Sequence, residues 1–190
     1  HEGSVTNVAF SGDGHWLVTS SSNTNATTRL WDLWTDPGVV PRQLAGANTV
    51  VAISADERWL ATGGRHPQVW DLAAENPAIN ARVLTGHDRP VKLLAFSSDG
   101  HWLATAGDDA TPRVWDLTAK DPGVSPRVLR GHGGPIQHLA MDAAGRRLAT
   151  AERDGAIHLW DLASREAVAA PRILPKHAGY LACLTLSPNG

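Results

Sequence analysis

The sequence predicts an all-β protein built from a repeated unit of about 45 residues. Trp-Asp-Leu occurs four times, at successive spacings of 39, 45 and 45 residues. Each unit holds four short strand-like segments separated by turn residues, and none of these segments has the helical period. A residue that recurs once per unit is more typical of structure than of a unique active site. The four copies begin at Trp31, Trp70, Trp115 and Trp160.

In every unit except the second, the first segment carries apolar residues four, seven and nine positions after a His. In the third unit these residues are Val91, Leu94 and Phe96. The last two of each set fall on one face of a strand because side chains alternate along it. The other sets are Val5, Val8 and Phe10 after His1, Ile136, Leu139 and Met141 after His132, and Leu181, Leu184 and Leu186 after His177.

The remaining segments of each unit follow in a constant order. A turn such as Ser-Ser-Asp-Gly at 97–100 predicts a hairpin, since Gly and Asp tolerate the backbone angles of tight turns. A Leu-Ala-Thr type strand and a strand ending on Trp-Asp come next. The fourth segment begins with Pro-Arg in three units, and both residues suit the exposed edge of a sheet. A ring of arginines that binds anions is the alternative. The fourth segments are 41–44, 81–84, 126–129 and 171–174.

The order Gly-His, Asp-Gly turn, Leu-Ala-Thr and Trp-Asp resembles the WD-repeat family of β-propellers over essentially the whole chain. The resemblance implies one four-stranded blade per unit around a central channel. WD propellers need about seven or eight blades to close, so we expect an incomplete ring here. We expect further blades of a longer chain, or self-association of a half-propeller, to complete it. The implied units are 1–45, 46–85, 86–130 and 131–175, followed by the first strand of a fifth blade in 176–190.

The resemblance also implies a buried hydrogen-bond chain in each blade, from a Trp indole to a hydroxyl, a His and an acidic residue. A hydroxyl, an imidazole and a carboxylate also make up a catalytic triad, but their repetition favours a structural role. The second unit has Ala47 and Gly64 at the His and acid positions, so we expect it to lack this chain and to be the least stable. The implied members are His1, Thr19, Asn25 and Trp31, then Thr62 and Trp70, then His87, Thr105, Asp109 and Trp115, and finally His132, Thr150, Asp154 and Trp160.

Composition excludes several function classes. A net charge of −2 disfavours nucleic acid as a partner. The longest apolar stretches have the length of strands, so neither a transmembrane helix nor a membrane partner is expected. No Cys/His cluster or metalloprotease motif is present, and we expect no metal and no cofactor. The single Cys183 rules out an intrachain disulfide, which is consistent with a cytoplasmic location, and its apolar neighbours predict a buried thiol.

The resemblance predicts a non-enzymatic scaffold that binds a protein or a peptide. Trp34 has no place in the repeat, and it either covers a neighbour or contacts a partner. The candidate contact residues, on the loops beside the implied hydrogen-bond chains, are Glu2, Asp88, Arg89, Asp108, Gly133 and Arg153.

Two alternatives stay open for the function. The similar linkers in 31–42 and 115–127 resemble those of bacterial WD arrays, which suggests the sensor of a larger signalling protein whose kinase or NTPase domain lies outside this chain. A propeller hydrolase is the other alternative. It requires convergent acids, histidines or a metal at the channel mouth, and the sequence shows no such non-repeating set.

Overall fold

A computed structural model describes residues 1, 3–22, 27–34, 40–44, 50–74, 76–163, 170–176 and 181–190. These residues form four antiparallel sheets of four strands each, in which chain order is also spatial order. The innermost strands of successive sheets contact one another in sequence order, so the sheets form an arc of blades. The structure thus confirms the predicted all-β, WD-type blade architecture.

Each blade contains the four segments predicted from the repeat. Blade 1 comprises β1 (Ser4–Phe10), β2 (Trp16–Ser22), β3 (Thr28–Asp32) and β4 (Arg42–Leu44). Blade 2 comprises β5 (Val51–Ile53), β6 (Trp59–Thr62), β7 (Gln68–Asp71) and β8 (Ala81–Val83), with a single 3₁₀ turn at Pro77–Ile79. Blade 3 comprises β9 (Val91–Phe96), β10 (Trp102–Gly107), β11 (Arg113–Asp116) and β12 (Arg127–Val128). Blade 4 comprises β13 (Ile136–Met141), β14 (Arg147–Glu152), β15 (Ile157–Asp161) and β16 (Arg172–Leu174).

The hairpin turns follow the predicted chemistry. In blade 3 the Ser97 hydroxyl donates to Asp99 Oδ1 at 2.6 Å and accepts from the Trp102 amide at 3.0 Å. Gly100 closes the turn with φ at 68°, a region that favours glycine. We call this end of the blades, with the turns between their first and second strands, the turn face. The opposite end, where each first strand begins, is the Gly-His face.

The apolar core lies between the blades. At the junction of blades 2 and 3, Trp59, Leu84 and Trp115 belong to one buried cluster, and Leu94 and Phe96 pack against it. These last two residues are the positions that the repeat predicts on one face of the first strand. Burial of such side chains is the main favourable contribution to folding, so each blade is stabilised by its neighbour.

The fourth strand lies at the outer edge of every blade, as predicted. Its arginine also takes part in packing. The Arg127 guanidinium lies 4.8 Å from the centre of the Trp102 ring and donates to Leu162 O of blade 4 at 2.8 Å. The Arg82 guanidinium lies 5.7 Å from the centre of the Trp59 ring. Arg127 therefore links blades 3 and 4, and Arg82 covers a tryptophan of its own blade, in addition to protecting an outer edge.

Two expectations near the carboxyl end are wrong. The strand predicted over 181–186 is absent, because these residues have no ladder partner among those described. Cys183 is exposed rather than buried, because none of the described strands packs beside it as a ladder partner. The following turn does dock on blade 4, where the Ala143 amide donates to Pro188 O at 3.3 Å. No helix within the described residues is long and apolar enough to cross a membrane.

Candidate functional site

The recurrent polar residues of blade 3 form a continuous hydrogen-bond chain. Trp115 Nε1 donates to Thr105 Oγ1 at 2.8 Å. His87 Nε2 lies 2.7 Å from that hydroxyl, and His87 Nδ1 lies 2.6 Å from Asp109 Oδ2. Because Asp109 can only accept, Nδ1 carries the proton, and the Thr105 hydroxyl donates to Nε2. The chain joins two strands and two loops, and it satisfies each group that it buries.

This arrangement does not suit nucleophilic catalysis. Thr105 is fully buried, and the His87 side chain has no exposed surface. Burial by itself raises the pKa of Asp109, but hydrogen bonds from His87 and Thr111 outweigh it and hold that pKa below its ordinary value. A substrate cannot reach the hydroxyl, so these three residues act as a structural network.

Blade 4 forms the same chain with a different acid. Trp160 Nε1 donates to Thr150 Oγ1 at 2.8 Å, and His132 Nε2 lies 2.6 Å from that hydroxyl. His132 Nδ1 donates to Glu152 Oε1 at 2.7 Å. The assignment of Asp154 to this position is wrong, since Asp154 pairs with Lys176 on the surface.

The reason for the exchange lies in the end of the second strand. At the place of Glu152, blade 3 has Gly107, where a side chain would meet Pro90 O. The space beside His87 is therefore open to Asp109, which comes from the following loop. In blade 4 the Glu152 side chain fills the equivalent space beside His132 and accepts its hydrogen bond in place of Asp154. The sequence does contain a signal for this exchange, because Ala-Thr-Ala is followed by an acid, Glu152, in the fourth unit and by Gly107 in the third.

Blade 1 completes the chain with a hydroxyl. Trp31 Nε1 donates to Thr19 Oγ1 at 3.1 Å, and His1 Nε2 lies 2.7 Å from the same oxygen. His1 Nδ1 bonds to Thr27 Oγ1 at 2.9 Å, a contact that the sequence analysis missed. Asn25, the predicted partner, lies outside the described residues.

Among the described residues, blade 2 shows no such chain, as its sequence predicted. Thr62 Oγ1 and Trp70 Nε1 are both buried, and neither has a hydrogen-bond partner among the described residues. The two residues therefore share a blade without the bond that joins Thr105 to Trp115 in blade 3. Ala47, at the His position, lies outside the described residues.

Three side chains of blade 4 come close enough to suggest a metal site. Ligand atoms of His132, Glu152 and His158 lie within 4.8 Å of one another. Both nitrogens of His132 are already bonded, however, and its ring is stacked on His158 with 3.9 Å between centres and 11° between planes. Lone pairs in two parallel rings do not converge on one ion, so the geometry disfavours a metal here.

The predicted contact residues that the structure describes lie on the Gly-His face. Asp88 and Arg89 are exposed in the loop before β9. Asp108 is partly exposed and forms an ion pair with Lys92 at 2.7 Å. Gly133 donates its amide to Glu152 at 3.0 Å. Arg153 is exposed and lines a cavity of about 230 Å³ between blade 4 and Leu181. Glu2 lies outside the described residues.

Comparison with known proteins agrees with this architecture. The family model "WD domain, G-beta repeat" matches residues 1–32, 80–116 and 123–161, more than half of the chain. The Schizosaccharomyces pombe protein "Target of rapamycin complex subunit wat1" is 32% identical over 103 residues, 51% of this chain and 31% of that protein. Human "WD repeat-containing protein 90" is 35% identical over 100 residues, 50% of this chain and 5% of that protein. The chain therefore spans less than a third of either relative.

Proposed function

The chain belongs to the WD-repeat family, and we propose that it is a non-enzymatic scaffold that binds another protein or a peptide. WD-repeat relatives point to a protein-interaction role of this kind, and one of them is named as the subunit of a complex. The observation that carries the proposal is the contrast within blade 3. The residues that resemble a triad are buried, whereas charged loop residues beside them are exposed. Rigid blades that present such loops provide a surface for recognition.

The contact surface that we propose is the Gly-His face around blades 3 and 4. Two neighbouring loops of this face carry charges of both signs, which are negative at Asp88 and Asp108 and positive at Arg89. Such charges steer a partner and fix its orientation. Reversal of all three charges should reduce capture of a partner isolated with the wild-type chain by at least tenfold. Reversal of Lys120 and Arg146, both exposed on the turn face, is the control. Equal capture by wild type and the triple variant would rule out this surface.

A second candidate is the sensor array of a larger signalling protein. The similarity of the linkers after the first and third Trp-Asp-Leu favours this candidate. The gene that encodes the chain should then also encode a kinase or NTPase module. Its full reading frame provides the test, and a frame with WD repeats alone would exclude this candidate.

We further propose that the exposed face of β1 contacts another WD blade of a longer chain. Val8 is 56% exposed and Phe10 is 60% exposed, whereas the equivalent Leu94 and Phe96 pack against blade 2. An apolar face of this kind promotes association when it is open. The 190-residue chain should therefore show concentration-dependent association in sedimentation, reduced by Val8→Ser and Phe10→Ser together.

Ile173→Ser provides the control for this experiment, because Ile173 is 63% exposed on an outer strand instead of an inner one. A longer chain whose further repeats close the ring should remain monomeric. If the 190-residue chain remained monomeric as well, the proposed role of the β1 face would be incorrect.

A further inference from the structure

An exposed aromatic stack extends from blade 1 on the turn face. The His15 ring lies between two indoles, with 4.4 Å between its centre and that of Trp16 and 4.4 Å between its centre and that of Trp34. His15 Nε2 is also 3.0 Å from Asp32 Oδ1. Trp16 is buried, but Trp34 is 66% exposed. The stack therefore holds one indole in a fixed position with its outer side open to solvent.

The repeat does not require an indole at this position. The Trp34 amide donates to Asp32 Oδ1 at 3.1 Å, which closes the turn after Trp-Asp-Leu. The same bond forms in the other blades, at 2.9–3.0 Å, although the donors there have small side chains. The Trp34 ring therefore adds nothing that this turn needs. The equivalent residues are Ala73, Thr118 and Ala163.

The surroundings of the stack are acidic. His15 and Trp16 line a cavity of about 340 Å³ between blades 1 and 2, together with Asp13, Asp56 and Glu57. The cavity also contains Arg58, but that side chain pairs with Asp71 at 3.3 Å. Within the described residues, no ion pair neutralises the three carboxylates. Hydrogen bonds from Ser11 and from the His15 amide lower the pKa of Asp13, so it is ionised at neutral pH.

Glu57 occupies the position of the hairpin turn at which the other three blades have a glycine. Its φ is 64°, in the left-handed region that residues other than glycine rarely adopt. In this conformation Glu57 Oε1 accepts from the Asp13 amide at 2.5 Å and joins the turns of the two blades. The negative charge beside the stack is thus fixed in position.

We propose that Trp34 and the acidic cavity dock a cationic segment of a partner protein. One Lys or Arg side chain lies over the open side of the Trp34 indole, and a second cation pairs with Asp13 and Glu57. A ring face attracts a cation, and the nearby carboxylates add attraction of the same sign. The proposal rests on the proposed scaffold function but uses the opposite face of the blades.

The test measures fluorescence anisotropy of a labelled peptide of alternating Arg and Gly residues, titrated with the 190-residue chain. Trp34→Ala should weaken binding about two- to fivefold, the effect of an exposed cation–π contact, while Trp34→Tyr should retain most of it. Asp13→Asn with Glu57→Gln should weaken binding further and flatten its dependence on salt. Val124→Ala, at another exposed position after a third strand, should change nothing.

The outcomes separate this proposal from the scaffold surface on the other face. The variant with reversed charges at Asp88, Arg89 and Asp108 should bind the Arg peptide like wild type. Equal binding of a Glu peptide, or unchanged binding by Trp34→Ala, would overturn the proposal. Loss of peptide binding in the triple variant would also overturn it, because the peptide would then bind the Gly-His face.

Discussion

Thr105→Val tests whether the buried hydrogen-bond chain stabilises blade 3. The substitution keeps the shape of the side chain and removes the oxygen that serves both Trp115 Nε1 and His87 Nε2. Both partners lie in a region without solvent access, because Trp115 and the His87 side chain are fully buried. An unsatisfied buried group costs about 1–3 kcal/mol. Two such groups lower the free energy of unfolding by about 2–5 kcal/mol, since the new methyl group offsets part of the loss.

Blade 2 offers a matched control within the same chain. Thr62 ends an identical Trp-Leu-Ala-Thr segment and is equally buried, but its hydroxyl has no partner in the described part of the chain. Thr62→Val removes a hydroxyl that has no partner among the described residues and should stabilise the blade by about 1 kcal/mol. Urea denaturation followed by tryptophan fluorescence, with native-state amide exchange of each blade, measures both effects. Equal losses in the two variants would refute the reasoning.

Three further predictions concern blades 2 and 4. Glu152→Gln should lower the unfolding free energy by about 1–3 kcal/mol, whereas Asp154→Asn should change it by less than about 1 kcal/mol, and chemical denaturation decides between them. Burial lowers the pKa values of His132 and His158 below the ordinary value of 6.5, so folding disfavours their protonation. The free energy of unfolding should therefore fall as the pH drops below 6.5. The urea midpoint should drop between pH 7.5 and 5.5, and less so in His158→Gln, which copies Gln68 of blade 2. A flat midpoint would contradict this. Finally, amides of 50–70 should exchange faster than those of 91–116, and equal protection would argue against a weaker blade 2.

The strands and the blade junctions were predictable because their signals are local. Alternating apolar residues mark the buried side of a strand such as β9, and turn residues such as Gly100 mark where it ends. The absence of a hydrogen-bond chain in blade 2 was also predictable, because its His and acid positions are occupied by Ala47 and Gly64. Each of these properties depends on residue type and spacing alone.

The partners of the polar side chains were less predictable. Whether Glu152 or Asp154 accepts the hydrogen bond from His132 depends on which carboxylate lies within bonding distance of the ring in the folded blade. In blade 1 the Thr27 hydroxyl takes the place of the acid because it lies within hydrogen-bond distance of His1. A side chain's reach is set by the path of the loop that carries it, and the repeat does not encode that path.

By itself, the sequence determined the all-β class, the four-stranded unit and the apolar positions that join the blades. Tertiary structure decided which acid completes each hydrogen-bond chain, and it placed Trp34 on His15 beside the carboxylates of two turns. The physical reason is one of range. Strand periodicity and turn chemistry act between near neighbours in the chain, whereas the partners of a polar or aromatic side chain are set by distances in space between separate blades and loops.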